Sequence, residues 1–211
     1  MVKADRVMIN KTSMRVNFVD MPGKAKVLTS QEIRSVIQIL KTPRDKTLFI
    51  AGIYSGLRIS ELISIKQDQV FTISGGTRNT LKLVRLKKKT TVYSDIPIHP
   101  KFREQLINYK EKILSKMEEP SEWLFPSTDD PIAHIGRFRA HNLFAEAFDR
   151  IGVDGASTHS MRRTCLTNMS RAGVPLRTIQ EISGHANLGQ LQEYLAVDPA
   201  DSHKAIMSLK Y

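Results

Sequence analysis

The sequence predicts a mostly helical α+β domain with a small three-stranded antiparallel sheet, and three observations predict it. Helical apolar spacing begins behind a capping pattern at Thr29-Ser30-Gln31-Glu32 and returns in six segments beyond residue 100. Between these blocks, residues 70–98 change to short β-branched runs separated by turn residues. Hydrophobic residues make up 41% of 211, enough for one sizeable core.

The elements follow in chain order. Residues 1–27 carry weak periodicity and many charges and read as an arm or linker, with the domain proper over 28–211. Ile33, Val36, Ile37 and Leu40 give a first helix. Pro43 opens a second, carrying Leu48, Phe49, Ala51 and Ile53, until Gly56 interrupts it. A third begins near Arg58 and carries Leu62, Ile63 and Ile65. Val70-Phe71-Thr72-Ile73 reads as the first strand, followed by a turn at Gly75-Gly76. Leu81 to Leu86 is the second strand, and Val92 to Ile98, closed by Pro100, is the third. Helical patterns cover 100–117, 137–151, 159–172, 175–183, 187–195 and 200–209, with Pro175 in a first turn and Gly184 ending its helix. Trp123-Leu124-Phe125-Pro126 reads as a buried strand, and no internal repeat is visible.

Composition narrows the function. The 32 Lys and Arg against 21 Asp and Glu give a net charge of +11. That excess suits nucleic acid first and an anionic membrane surface second, beside the plain reading of a basic solubilising surface. A single cysteine, Cys165, permits no internal disulfide and points to a reducing compartment. No segment reaches the roughly 18 apolar residues of a membrane span, and the N-terminus lacks a signal-like apolar run. The chain therefore reads as soluble and cytoplasmic, with no membrane partner. His99, His134, His141 and His203 lack metal-ligand spacing, so no metal site is expected.

Four segments carry candidate chemistry. In Thr158-His159-Ser160-Met161-Arg162-Arg163, His159 and Arg162 lie three apart and share a helix face. Arg grips two phosphate oxygens and His moves a proton, although a surface helix explains the same spacing. Gly184-His185 is followed by Tyr194, whose phenol would need a cluster of cations to act as a nucleophile at its usual pKa of about 10. In Ser55-Gly56-Leu57-Arg58-Ile59-Ser60-Glu61-Leu62, Arg58 sits in a first helical turn, where the helix dipole opposes a purely structural cation. Glu61 either orients Arg58 or caps the helix. Lys87-Lys88-Lys89 tips a hairpin that is either a solvated turn or a carrier of an ammonium beside a phosphate ester.

Taken together, GLRISEL, a lysine hairpin closing on IPI, HSMRRT and GHAN with Tyr194 resemble the motif series of the tyrosine recombinase, or phage integrase, family over about residues 28 to 197. Tyr194 falls nine residues after His185, and Lys89 eight before Pro97, as the family pattern has them. The resemblance implies a catalytic domain that breaks and rejoins DNA, in which Arg58 and Arg162 neutralise the phosphate and Lys89 protonates the leaving 5′-oxygen. It likewise implies that His159 manages the tyrosine proton or holds the phosphate, that His185 hydrogen-bonds to it, and that Tyr194 forms a 3′-phosphotyrosine. Glu61 matches a supporting acidic position. The implied chemistry needs no cofactor, metal or ATP. Residues Lys82, Arg85, Lys87, Lys88, Arg137, Arg139 and Arg163 are the expected DNA contacts. The implied partners are double-stranded DNA and further copies of the chain: a monomer in solution, a tetramer on paired sites, joined by exchange of the C-terminal helix that carries Ala205, Ile206 and Leu209. Accessory proteins, the target sequence and the choice among integration, excision, inversion and resolution are not legible. Many members carry a helical domain before the catalytic one, so the chain is expected to be either a short recombinase or a fragment of a longer one. A silent DNA-binding regulator of the same fold and a type IB topoisomerase are the alternatives. The complete set of six residues argues against the first, and tetramer assembly on DNA would separate the second.

Overall fold

The computed structural model describes residues 25–87, 90–130, 132–196, 206, 207 and 209. Residues 1–24 of the expected arm, the hairpin lysines Lys88 and Lys89, and most of the last helix lie outside the described residues. Among the described residues, eight α-helices and one hairpin follow in order: α1 (Ser30–Ile39), α2 (Pro43–Ser55), α3 (Ile59–Ile63), β1 (Thr80–Lys87), β2 (Thr90–Pro97), α4 (Pro100–Lys112), α5 (Arg137–Arg150), α6 (Thr158–Arg171), α7 (Leu176–Ser183) and α8 (Leu188–Tyr194).

Local chemistry sets the helix ends. At α1 the capping box forms as the sequence predicts: the Glu32 amide donates to Thr29 Oγ1 (3.2 Å) and the Thr29 amide to Glu32 Oε2 (2.8 Å). Thr42 caps α2, with Pro43 in its first turn, where the missing N–H costs nothing. Gly56 ends α2 at φ 64°, a left-handed conformation that suits glycine.

Helix α2 is the central rod. Leu48, Phe49 and Ala51 are fully buried, and α4 and α6 pack on it from two sides. Phe49 meets Phe144 and Phe148 of α5 at ring-centroid distances of 5.8 and 6.4 Å. At Gly52 a Cβ would lie 2.8 Å from Met161 Sδ, so the absence of a side chain there lets α2 and α6 close together.

The sheet differs from expectation. Among the described residues it has two strands, β1 and β2, paired antiparallel with Leu81 opposite Ile96 and Leu83 opposite Ser94. Residues 70–73 do not join it. Their backbone closes on itself: Phe71 N–H donates to Gln67 (2.8 Å), Thr72 N–H to Gly76 (2.8 Å) and Arg78 N–H to Val70 (2.8 Å). These local bonds consume the groups that a strand would offer β1, and Ile73 points into solvent. Residues 123–126 are likewise a connector, pairing with Lys66 and His134 in isolated bridges rather than in a sheet, with Leu124 and Phe125 fully buried.

The apolar interior divides unevenly. The large core joins α1 through α6 and the hairpin. Among the described residues a second cluster has Leu166, Ile179 and Leu191 fully inside it, with Met169, Val174, Leu176, Tyr194 and Leu195 partly buried around them. It fastens α7 and α8 to the outer side of α6.

Candidate active site

Helix α6 is the axis of the site. Thr158, Ser160, Met161, Arg162, Arg163 and Thr164 are all buried, so its first turns run inside the protein rather than along a surface. Arg162, 2% exposed, is the largest of the fully buried side chains. Its Nη1 donates to the Gly56 carbonyl (2.8 Å) and its Nη2 to the Ser183 carbonyl (2.9 Å). One guanidinium thus ties the end of α2 to the end of α7. Gly56 is glycine for space as well as for φ, since a Cβ there would stand 3.1 Å from Leu166 and 3.2 Å from Cys165 Sγ. Cys165 is a packed core thiol whose pKa burial pushes up to about 12.

Arg162 Nη2 also lies 3.2 Å from His185 Nε2. Since an arginine has only donors, that nitrogen accepts. His185 Nδ1 then carries the proton and donates to Ser183 Oγ (2.8 Å), whose hydroxyl passes the chain on to the Gln180 carbonyl (3.2 Å). Gln180 Nε2 donates in turn to the His185 carbonyl (3.1 Å). The imidazole is therefore neutral with one tautomer fixed. Burial, then the charges of Arg162 and Arg58, hold its pKa down to about 4.

Arg58 is the residue before α3 rather than within its first turn, and its side chain is 42% exposed. Its amide donates to Glu61 Oε2 (2.8 Å) and its Nη1 lies 3.6 Å from Glu61 Oε1. Glu61 both caps the helix and orients the arginine, so the two sequence readings hold at once. The same carboxylate receives Arg85 Nε (3.1 Å) and stands 4.0 Å from Arg162 Nη1. Three arginines share one acid. Arg162 loses some basicity to burial and to Arg58, down to about 10, and stays charged at neutral pH.

Tyr194 closes the constellation at the end of α8. Its hydroxyl donates to the His159 carbonyl (3.2 Å), and its ring lies 5.5 Å from His185 and 5.8 Å from the Arg162 guanidinium. Burial raises its pKa against the opposing pull of Arg162, Arg163 and Arg58, so the phenol is protonated here. His159 is solvent-accessible at the start of α6, and partial desolvation of its ring, followed by the charges of Arg162 and Arg58, lowers its pKa. A cleft of about 780 Å³ runs past His159, His185, Glu193 and Tyr194 to Ala25 and Gly155. Arg58, His159, Arg162, His185 and Tyr194, from three helix ends and one turn, thus border one cationic site. It can hold an anion against Arg58, offer a phenol beside it and accept a proton on a neutral imidazole.

Two of the expected DNA contacts face inward instead. Arg85 is buried and donates to Glu61 and to the backbone of α7. Arg163, also buried, donates to the Tyr194 carbonyl (3.2 Å) and to that of Ala25. Lys82, Arg137 and Arg139 are exposed, with Arg139 4.0 Å from Asp129. Lys88 and Lys89 lie outside the described residues, as does the side chain of Lys87. The sequence reading missed Ser183 and Gln180, which set the His185 tautomer. Their signal was two polar residues three apart, just before the Gly-His pair, on a helix whose neighbour Ile179 is fully buried.

Residues 26–201 match the model of the phage integrase family. The tyrosine recombinase XerA of Pyrococcus horikoshii is 26% identical over 191 residues, covering 88% of this chain. The chain spans 61% of that relative's length. A probable integrase/recombinase of Bacillus subtilis, YoeC, is 27% identical over 172 residues, 80% of this chain and 87% of the relative. Among solved structures, a XerA recombinase superposes with a TM-score of 0.71 at 18% identity, covering 89% of this chain and 67% of that one. A XerH site-specific recombinase bound to its difH substrate, in a pre-cleavage complex, gives 0.65 at 16% identity, covering 88% and 54%. These structural likenesses speak for the fold.

Proposed function

The chain belongs to the phage integrase family of tyrosine recombinases, and from that premise we propose that it is a site-specific recombinase that cleaves and rejoins double-stranded DNA through a 3′-phosphotyrosine at Tyr194. One observation carries the reading: His185 and Tyr194 stand within hydrogen-bonding or ring-contact reach of Arg162, the Tyr194 hydroxyl bonds the His159 backbone, and Arg58, more than 130 positions before Tyr194, is joined to them through Glu61.

The chemistry follows from the groups. Arg58, partly exposed and braced by Glu61, receives a non-bridging phosphate oxygen, and Arg162 supplies a second fixed positive charge behind it. Preset cations of this kind stabilise charge that builds on a phosphoryl group in the transition state. The Tyr194 oxygen attacks phosphorus and the bond to the 5′-oxygen breaks. The phenol proton passes toward His159, whose lowered pKa keeps the imidazole neutral and free to accept it, and Lys89 gives a proton to the leaving 5′-oxygen. The phosphotyrosine conserves the energy of the broken phosphodiester, so attack by a 5′-hydroxyl of another strand reverses the step. No external energy source is required.

Assembly on paired sites as a tetramer belongs to the same proposal. Ile206, Met207 and Leu209 expose 64%, 66% and 55% of their surface, an apolar tail suited to docking on a neighbouring copy. Removing residues 200–211 should spare binding to a single site and reduce pairing of sites, which band-shift assays separate; unimpaired pairing would refute the exchange.

The direct test incubates the protein with nicked candidate DNA and resolves the products on a denaturing gel. The wild-type chain should form an adduct that survives denaturation. Tyr194→Phe, which loses one hydroxyl, should bind DNA nearly as well and form none.

A further inference from the structure

Arg85 looks from sequence like one more cation on a basic hairpin. Its surroundings say otherwise. It lies on the buried face of β1 with Leu81 and Leu83, while Lys82 and Val84 face outward. Its guanidinium binds the scaffold of the site: Nε to Glu61 Oε1 (3.1 Å), Nη1 to the Glu181 carbonyl (3.2 Å) and Nη2 to the Ile182 carbonyl (2.6 Å). The next carbonyl along, Ser183, is taken by Arg162 (2.9 Å). Two arginines therefore cover three successive carbonyls at the C-terminal end of α7, where the helix dipole favours cations. The chain then turns at Gly184 (φ 68°), and a Cβ there would stand 2.8 Å from Arg85 Nη1 and 3.0 Å from its Cζ. The guanidinium is seated flat against the turn that presents His185.

We propose that Arg85 is a positioning residue for strand cleavage: it locks Glu61, and through it Arg58, to the Gly184–His185 turn, so that the phosphate-binding arginine and the histidine keep one register. The inference rests on the recombinase reading above. A fork of three donors is needed because three acceptors on two elements must be held at once. A lysine reaches one or two of them from a point charge, and a glutamine brings no charge for Glu61. With Arg85 lost, Glu61 keeps Arg58 and reaches α7 only by its longer 4.0 Å approach to Arg162, and of the two arginines the end of α7 keeps Arg162.

The test compares wild type, Arg85→Lys and Arg85→Gln in three measurements. These are single-turnover cleavage of nicked DNA, DNA affinity by band shift, and the NMR titration of the His185 imidazole in the free protein. Cleavage by bound protein should fall at least about tenfold in Arg85→Gln, with Arg85→Lys intermediate. Affinity should change less than about threefold, and the His185 titration should move toward the ordinary histidine value. Arg85→Lys preserves charge and most of the packing, so it reports even if Arg85→Gln fails to fold. A drop in affinity with unchanged cleavage of the bound complex would make Arg85 a DNA contact and overturn the proposal. Cleavage reduced only in proportion to the folded fraction, with His185 titrating as in wild type, would overturn it too. Wild-type protein that forms no adduct would refute the recombinase reading instead, and the NMR arm would still report on Arg85.

Discussion

The arginine side and the tyrosine side of the site are built differently. Arg58 and Arg162 stand on elements that belong to the large core: α2, the turn after it and α3 carry the buried Leu48, Phe49, Leu57 and Leu62, and α6 packs on both α2 and α5. His185 and Tyr194 stand on α7 and α8, whose own cluster has three fully buried residues. Polar bonds make up the difference. Arg162 and Arg85 hold the last carbonyls of α7, and Arg163 holds the carbonyl of Tyr194. The elements of the arginine side are thus fixed by burial in the large core, whereas the tyrosine side is fixed by a few charged hydrogen bonds. Such a division lets α8 detach at lower cost than α2 or α6, because elements with few buried contacts open first.

The largest expected effect separates the two arginines. Arg58→Ala and Arg162→Ala should each slow cleavage about a hundredfold or more, as loss of a transition-state donor does. Their stabilities should differ. Arg58 is partly exposed and its loss should barely move the melting temperature, whereas Arg162→Ala strips the buried carbonyls of Gly56 and Ser183 of their donor, at about 1–3 kcal/mol for each buried group left unpaired. Equal melting temperatures for the two variants would break the comparison.

Core truncations sharpen it. Leu48→Ala, in the large core, should cost about 2–5 kcal/mol of global stability by calorimetry or denaturant titration. Leu191→Ala, in the small cluster, should fall at the low end of that range and raise amide exchange chiefly in α7 and α8. Uniform loss of protection across α2 and α6 in the Leu191 variant would mean that the two cores are one.

The smallest effect is on pH dependence. His185 has a folded-state pKa of about 4 against an ordinary 6.5. The folded chain therefore binds fewer protons than the unfolded one in that window. The stability this imposes is fully present above about pH 6.5 and is lost as pH falls toward about 4. His159 and His99, also lowered, act in the same direction. Denaturant midpoints measured from pH 7 to pH 4 should fall less steeply for His185→Gln than for wild type. Parallel curves would place the imidazole outside the buried network.

Much of this was legible in the sequence because the signals were local. The Thr29–Glu32 box, Pro43, Gly56 and Gly184 marked helix ends where they occur, since capping and left-handed turns depend on residues a few positions apart. The convergence of Arg58, His159, Arg162, His185 and Tyr194 was legible only through motif order and spacing. What failed depended on distant partners. Residues 70–73 have strand-like composition, but their backbone groups are spent within 67–78. Arg85 and Arg163 carry the same charge as Lys82, and only tertiary position turned two of them inward and left one in solvent. Alternation along β1 did hold the clue, since Arg85 shares the parity of Leu81 and Leu83, a pattern that the surrounding lysines obscured.

The central claim is that both halves act on one phosphate through Tyr194. The most direct measurement traps the adduct on nicked DNA, trims the DNA with nuclease, digests with trypsin and maps the modified peptide by mass spectrometry. Cleavage after Arg177 and Lys204 yields a peptide of residues 178–204 whose single tyrosine is Tyr194. The account predicts a 3′-linked nucleotide on that residue and none in the Tyr194→Phe protein. An adduct on any other residue, or its persistence in Tyr194→Phe, would contradict it.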